Sequence, residues 1–154
     1  MNQLNSLFIF HNFQIMERNV KFSYSGIDKN KILKAANSAL PKGKAVNDYG
    51  LIFVSKQKMA ELNKKYRHKK GATNVLSFGT GLSKELGAGT VVLCPKVAGA
   101  EAKEHGFTQK NWMTRLIVHG ILHLAGYGHD TATTQKQMEG LEKIVLSKLG
   151  IKNV

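Results

Sequence analysis

The chain has 154 residues, 42% of them hydrophobic, which is enough for one core and too few for two large domains, so a single domain over residues 16–154 is expected. No apolar run approaches the roughly 18 residues a membrane-spanning helix needs, and residues 7–10 lack the basic lead and cleavage site of a secretory signal. A cytoplasmic protein with no membrane partner is the expectation.

Residues 1–15 show no clear period and form either an N-terminal arm or a non-native stretch ahead of a true start at Met16. Residues 20–24 read as a strand. Asp28 caps a helix reaching Leu40, with Ile32, Leu33, Ala36 and Leu40 on one face and Pro41 ending it. Residues 49–54 read as a buried strand. Ser55 caps a second helix, in which Met59, Leu62 and Tyr66 recur at helical spacing opposite a lysine face.

Residues 74–78 are β-rich and enter a Gly-rich loop at 79–89 that lacks any phosphate-cradling signature. Residues 89–94 form a third strand, apolar on both faces and therefore central, and Cys94 at its end reads as a buried structural thiol. Pro95 opens a helix that runs to His105 and stops at Gly106. Thr108 caps the next helix, which from Trp112 to Ala125 is apolar nearly all round and hence buried. Thr131 starts a last helix with an inner stripe of Met138, Leu141, Val145 and Leu149 and a stop at Gly150. Strands alternating with helices predict an α+β or mixed α/β fold, with a mixed sheet of about four strands packed with about five helices, one of them central.

The buried helix carries the chemistry. His119 and His123 are four apart and share one helix face, and Gly126 can end the helix and fold His129 back toward them. Three neutral imidazoles make a metal site with one position open, the arrangement of a catalytic zinc; one ion per chain is expected. Nickel, copper or iron would also suit three imidazoles. The spacing is that of the metzincin proteases, but Gly120 stands where the protease carries its glutamate base. The site therefore reads as hydrolytic rather than proteolytic.

The net charge is +13, and it is concentrated. Residues 1–71 hold 14 Lys and Arg against Glu17, Asp28, Asp48 and Glu61, a net of +10, whereas residues 72–154 hold nine against six, a net of +3. Such a surface draws polyanions through counterion release, nucleic acid first and an anionic membrane second. Residues 56–70 contain seven Lys and Arg with only Glu61 opposing. Lys64, Lys65, Arg67, Lys69 and Lys70 are the candidate RNA contacts, and many such lysines are simply solvated. Arg67 differs, because a guanidinium can grip a phosphate through two parallel hydrogen bonds and stabilise the charge that builds on it.

Taken together, Tyr66-Arg67, the segment Ala72-Thr73-Asn74-Val75-Leu76-Ser77-Phe78 and the three-histidine frame resemble, in this order and separation, the YbeY family of bacterial rRNA maturation factors. The resemblance covers roughly residues 50–149. It implies a zinc-dependent endoribonuclease acting on single-stranded RNA, in maturation of the 3′ end of small-subunit rRNA and in ribosome quality control, with the small subunit or its proteins as partners. It also implies His119, His123 and His129 as zinc ligands, with Arg67 functionally important nearby. The chain departs from the family pattern twice: Gly128 stands where an aspartate usually precedes the third histidine, and the usual Gly-Asp opening of the central strand reads Gly89-Thr90.

On this reading Arg67 and His119 are the catalytic candidates. No carboxylate base lies within the motif; Asp130, Glu101, Glu104, solvent and the RNA's own 2′-hydroxyl are all open as proton acceptor or nucleophile. Two rivals remain: an RNA-binding assembly factor with little catalysis, its metal completed by His68 or His105, and a metallopeptidase, which Gly120 disfavours.

Overall fold

Hydrophobic patterning and helix caps account for most of the chain's local structure, seen in a computed structural model that describes residues 20–21, 23–79 and 89–152. The expected arm at 1–15, the start at Met16 and most of the 79–89 loop lie outside the described residues. The first strand, β1, is Val20–Lys21, shorter than the 20–24 expected. It is followed by helix α1 (Lys29–Ala39), strand β2 (Gly50–Val54), helix α2 (Lys56–Arg67), strands β3 (Val75–Phe78) and β4 (Thr90–Leu93), and helices α3 (Pro95–Glu104), α4 (Gln109–Leu124) and α5 (Ala132–Lys148).

Each cap expected from sequence closes the first turn of its helix by accepting a backbone N–H. Asp28 accepts from Lys31, Ser55 from Lys58, Thr108 from Asn111 and Thr131 from Thr134, the last pair forming a reciprocal capping box. Pro95 sits at the start of α3, where its missing N–H costs nothing.

The four strands form one mixed sheet in the order β1-β2-β4-β3. β2 and β4 are parallel, with Gly50 opposite Thr90 and Phe53 opposite Leu93; β1 and β3 flank them antiparallel. Strand side chains alternate, so the sheet has two faces with different covers. Leu51, Phe53, Val91 and Leu93 face the main core with residues of α1, α3, α4 and α5, while Ile52, Val54, Leu76 and Val92 face Met59 and Leu62 of α2. β4 is buried throughout, as its run of apolar residues requires. Cys94 is buried beside it as a free thiol.

α4 is the centre of the fold. Nine of its residues are buried, from Trp112 to Leu122, and burial of each of Ile117, Ile121 and Leu122 contributes about 1.5–3 kcal/mol before entropy is counted. It contacts α1, α3, α5, β3 and β4. In α2 the expected inner stripe is only partly right: Met59 and Leu62 are buried, but Tyr66 is 37% exposed and meets Phe78 edge-on at 5.1 Å. Tyr66 lies in the last turn, over Phe78 at the very end of β3, where the sheet covers only one side of its ring. No described helix is long and apolar enough to cross a membrane.

Candidate metal centre and basic face

Two helices end at the same end of the sheet. α4 starts near Leu93, where Gln109 donates to the Pro95 carbonyl at 2.9 Å, and finishes beside Gly89, where a Cβ would lie 2.5 Å from Leu124 and 2.4 Å from the Phe78 carbonyl. α2 finishes at that same end on the opposite face, as the Tyr66–Phe78 contact shows.

The end of α4 turns sharply. Gly126 has φ +92°, its N–H bonds to the His123 carbonyl at 3.0 Å, and the Tyr127 N–H bonds to the Leu122 carbonyl at 3.0 Å. This is the paired Schellman closure, which needs a residue free to adopt the left-handed conformation. It reverses the chain and brings His129 to His119 and His123. One ring nitrogen from each lies within 4.8 Å of the others, and among the described residues this is the one cluster of three or more His, Cys, Asp or Glu that could hold a metal. His119 and His123 are half-buried and His129 is exposed, so one side of the cluster faces water.

Two of the three rings, those of His119 and His123, are held in the tautomer a metal needs. The Tyr127 carbonyl can only accept, so His123 Nδ1, 3.0 Å away, carries the proton and Nε2 presents its lone pair. His119 Nδ1 hydrogen-bonds to the Glu142 carboxylate in the same sense. The two Nε2 atoms stand 3.0 Å apart, and lone pairs at that distance repel unless a cation or a proton lies between them. Burial, and then the neighbouring His119, push His123 below the usual imidazole range, which favours the neutral form that can ligate. Tetrahedral zinc with Zn–N near 2.0–2.1 Å places its nitrogens about 3.3 Å apart. The donor set and the 3.0 Å pair fit such an ion, and the exposed His129 stands within reach as a third donor.

Glu142 is absent from the sequence-based reading. It is 6% exposed on α5, four residues after Met138 and three before Val145, so it sits on the inner stripe. A carboxylate at a stripe position was the available signal. The stripe itself shifts slightly from expectation, with Met138, Val145 and Leu146 buried and Leu141 and Leu149 half-buried.

Gly120 has a packing reason. A Cβ there would lie 2.8 and 2.9 Å from the two Val91 methyls and 3.0 Å from Ser77 Oγ, so position 120 faces the sheet. Any side chain at that position must first displace the Val91 and Ser77 side chains. Thr90, one of the two departures from the family pattern, lies beside Val91 and therefore points to the α2 face; it is buried, and its hydroxyl has no hydrogen-bond partner among the described residues. At the other departure, a Cβ on Gly128 would lie 3.4 Å from the Asp130 carboxylate, which therefore stands close to the backbone beside His129.

The remaining candidates separate. Glu101 is committed elsewhere, accepting from Trp112 Nε1 at 2.9 Å and from Asn74 Nδ2 at 3.0 and 3.2 Å. Trp112 lies seven residues before His119, about 10 Å along the helix, so Glu101 is far from the cluster. Glu104 is exposed at the end of α3. His105 stacks on Trp112 at 4.8 Å, and His68 is the left-handed C-cap of α2; neither joins the cluster.

Lys64, Lys65, Arg67, Lys69 and Lys70 are all exposed at and beyond the end of α2. Buried Asn63 donates to the Gly71 carbonyl at 2.8 Å and holds this exit loop to the helix. Arg67 has no hydrogen bond or ion pair among the described residues, so the structure places it at the histidine end of the sheet but on the other face, without contact to the cluster. Lys44 was not foreseen: its Nζ lies 5.9 Å from the Tyr127 ring centroid, beside the histidine turn.

A small mixed sheet, a buried helix ending in histidines and an open three-imidazole cluster define a class: α+β proteins with three clustered histidines that could hold a metal ion. Comparison with known proteins narrows it. The chain belongs to the YbeY family, whose model, described as endoribonuclease YbeY, matches residues 14–150. A protein named endoribonuclease YbeY from Bartonella bacilliformis is 38% identical over 128 residues, 80% of this chain and 81% of that one. One of the same name from Acinetobacter baumannii is 40% identical over 114 residues, 69% and 72% of the two chains. The solution structure of TM1509 from Thermotoga maritima shares the fold, with a TM-score of 0.52, 22% identity, and 79% and 81% coverage.

Proposed function

We propose that this chain is a zinc-dependent endoribonuclease that cleaves single-stranded RNA, working in the cytoplasm on the 3′ end of small-subunit rRNA and in ribosome quality control, with residues 16–154 acting as one domain. The observation that carries the reading is the pairing of His119 and His123 through Nδ1, which leaves their two Nε2 atoms and the exposed His129 ring clustered at one point open to water. Family membership supplies the reaction class.

In this mechanism His119, His123 and His129 hold one zinc ion, which when bound supplies Lewis acidity to water and phosphate near neutral pH. Arg67 binds the scissile phosphate and stabilises the charge that develops on it. Lys64, Lys65, Lys69 and Lys70 hold the strand on either side by its phosphates, and Lys44 adds a cation beside the histidine turn. The RNA thus passes around the end of β3, from the α2 face to the α4 face. Asp130, next to His129 in the chain, is the carboxylate we would assign to take a proton.

The test is cleavage by purified full-length protein of single-stranded RNA, duplex RNA and casein, with and without a chelator. Metal-dependent cutting of single-stranded RNA alone is expected. RNA cleavage untouched by chelator, or cleavage of casein alone, overturns the reading, and binding without turnover favours an assembly factor.

A further inference from the structure

A carboxylate buried in an apolar stripe is unfavourable unless each oxygen is paired, and Glu142 has both paired. Oε1 faces His119 Nδ1, and Oε2 lies 3.8 Å from Arg115 Nε. Arg115 and His119 are four apart on α4, so both reach α5 from one face of the buried helix. Arg115 is itself held, its guanidinium 4.9 Å over the Trp112 ring, and Trp112 is tied by Glu101 to Asn74 at the start of β3. A line of contacts therefore runs down one face of α4, through positions 112 and 115, to the histidine cluster.

We propose that Glu142 is the positioning residue of the metal centre, with Arg115 holding it from behind. The carboxylate takes the Nδ1 proton of His119 as its hydrogen bond, which locks the ring plane and turns the Nε2 lone pair toward His123 and His129. Its charge also makes the imidazole a better donor. Of the two partners of the carboxylate, the imidazole is the closer and the arginine the farther. The inference rests on the reading of the three histidines as metal ligands, and it adds a residue from α5 to a site otherwise built from α4 and its turn.

The experiment is a zinc competition titration against a chromophoric chelator with full-length wild type, Glu142→Gln, Glu142→Leu and Arg115→Met, each first checked for cooperative thermal unfolding. Long-range nitrogen NMR of the imidazoles is recorded on the metal-free wild type. Affinity is expected to fall about 10- to 100-fold in Glu142→Leu, less in Glu142→Gln, whose amide oxygen still accepts the proton without the charge, and least in Arg115→Met. The wild-type spectrum is expected to show His119 protonated on Nδ1. Folded Gln and Leu variants that both bind zinc within about twofold of wild type, or a wild-type His119 protonated on Nε2, would overturn the proposal. If the Leu variant does not fold, the Gln variant decides. A wild type that binds zinc but cleaves no RNA defeats the ribonuclease reading while leaving the affinity series to judge Glu142; one that binds no zinc defeats both.

Discussion

The ends of α2 and α4 lie at one end of the sheet, on opposite faces, and they are built in contrary ways. At the end of α4, His119 and His123 are both fixed by hydrogen bonds from behind. At the end of α2, Lys64, Lys65, Arg67, Lys69 and Lys70 stand exposed, and Arg67 has no ion-pair or hydrogen-bond partner among the described residues. The difference follows from what each region would bind. Metal coordination demands positions set to a fraction of an ångström, whereas attraction to a phosphate chain tolerates mobile side chains and even gains from their reach.

The greatest loss is expected from His119→Ala or His123→Ala, which act on the α4 end alone. Either should abolish tight metal binding and reduce RNA cleavage to background while thermal unfolding stays cooperative, because both side chains are only half-buried. Arg67→Ala should leave metal affinity unchanged and lower cleavage about a hundredfold, read in single-turnover kinetics. An unchanged rate would place Arg67 among the merely solvated cations.

Next in size is a stability effect that separates packing from chemistry. Gly120→Ala should cost about 1–3 kcal/mol in denaturant unfolding because Val91 and Ser77 leave no room. Gly140→Ala, on a helix with nothing within 4 Å, should instead gain about 0.4–1 kcal/mol. The double change Lys64→Gln with Lys65→Gln should weaken RNA binding modestly and flatten its dependence on log salt by roughly 0.7 per lost phosphate contact.

The smallest effect concerns the shared scaffold. Tyr49 is fully buried and donates its hydroxyl to the Lys29 carbonyl at 3.2 Å. Burial, reinforced by Asp48 and Asp28, raises its ionisation well above the ordinary range. The folded value is the higher one, so this contribution is whole below about pH 10 and is lost as pH climbs beyond it. Tyr49→Phe should remove that alkaline loss from chemical-denaturation curves and leave metal and RNA binding alone.

Much of this was legible in the sequence because caps and breakers are local. Asp28, Ser55, Thr108 and Thr131 each close a turn within three residues, and the apolar run at 90–94 could only be central. The three histidines were legible for the same reason: a four-residue spacing and one glycine bring them together. Glu142 was not, because its partner is 23 residues away on another helix, and apolar periodicity passes over a charge that fits the stripe. Tyr66 was misplaced because helical spacing says nothing about where the sheet beneath stops. The meaning of Gly120 also changed, from a missing base to a contact with Val91 that only the packed sheet reveals.

The proposed function requires that one metal ion at His119, His123 and His129 carry the RNA cleavage. Stripping the protein with chelator and returning zinc in measured steps, while following cleavage of a single-stranded RNA, tests it most directly. Activity should return in proportion to added zinc and level off at one ion per chain, and His129→Ala should show no such saturable recovery. Full activity in the stripped protein, or recovery that His129→Ala reproduces, would contradict a metal-borne cleavage at these histidines.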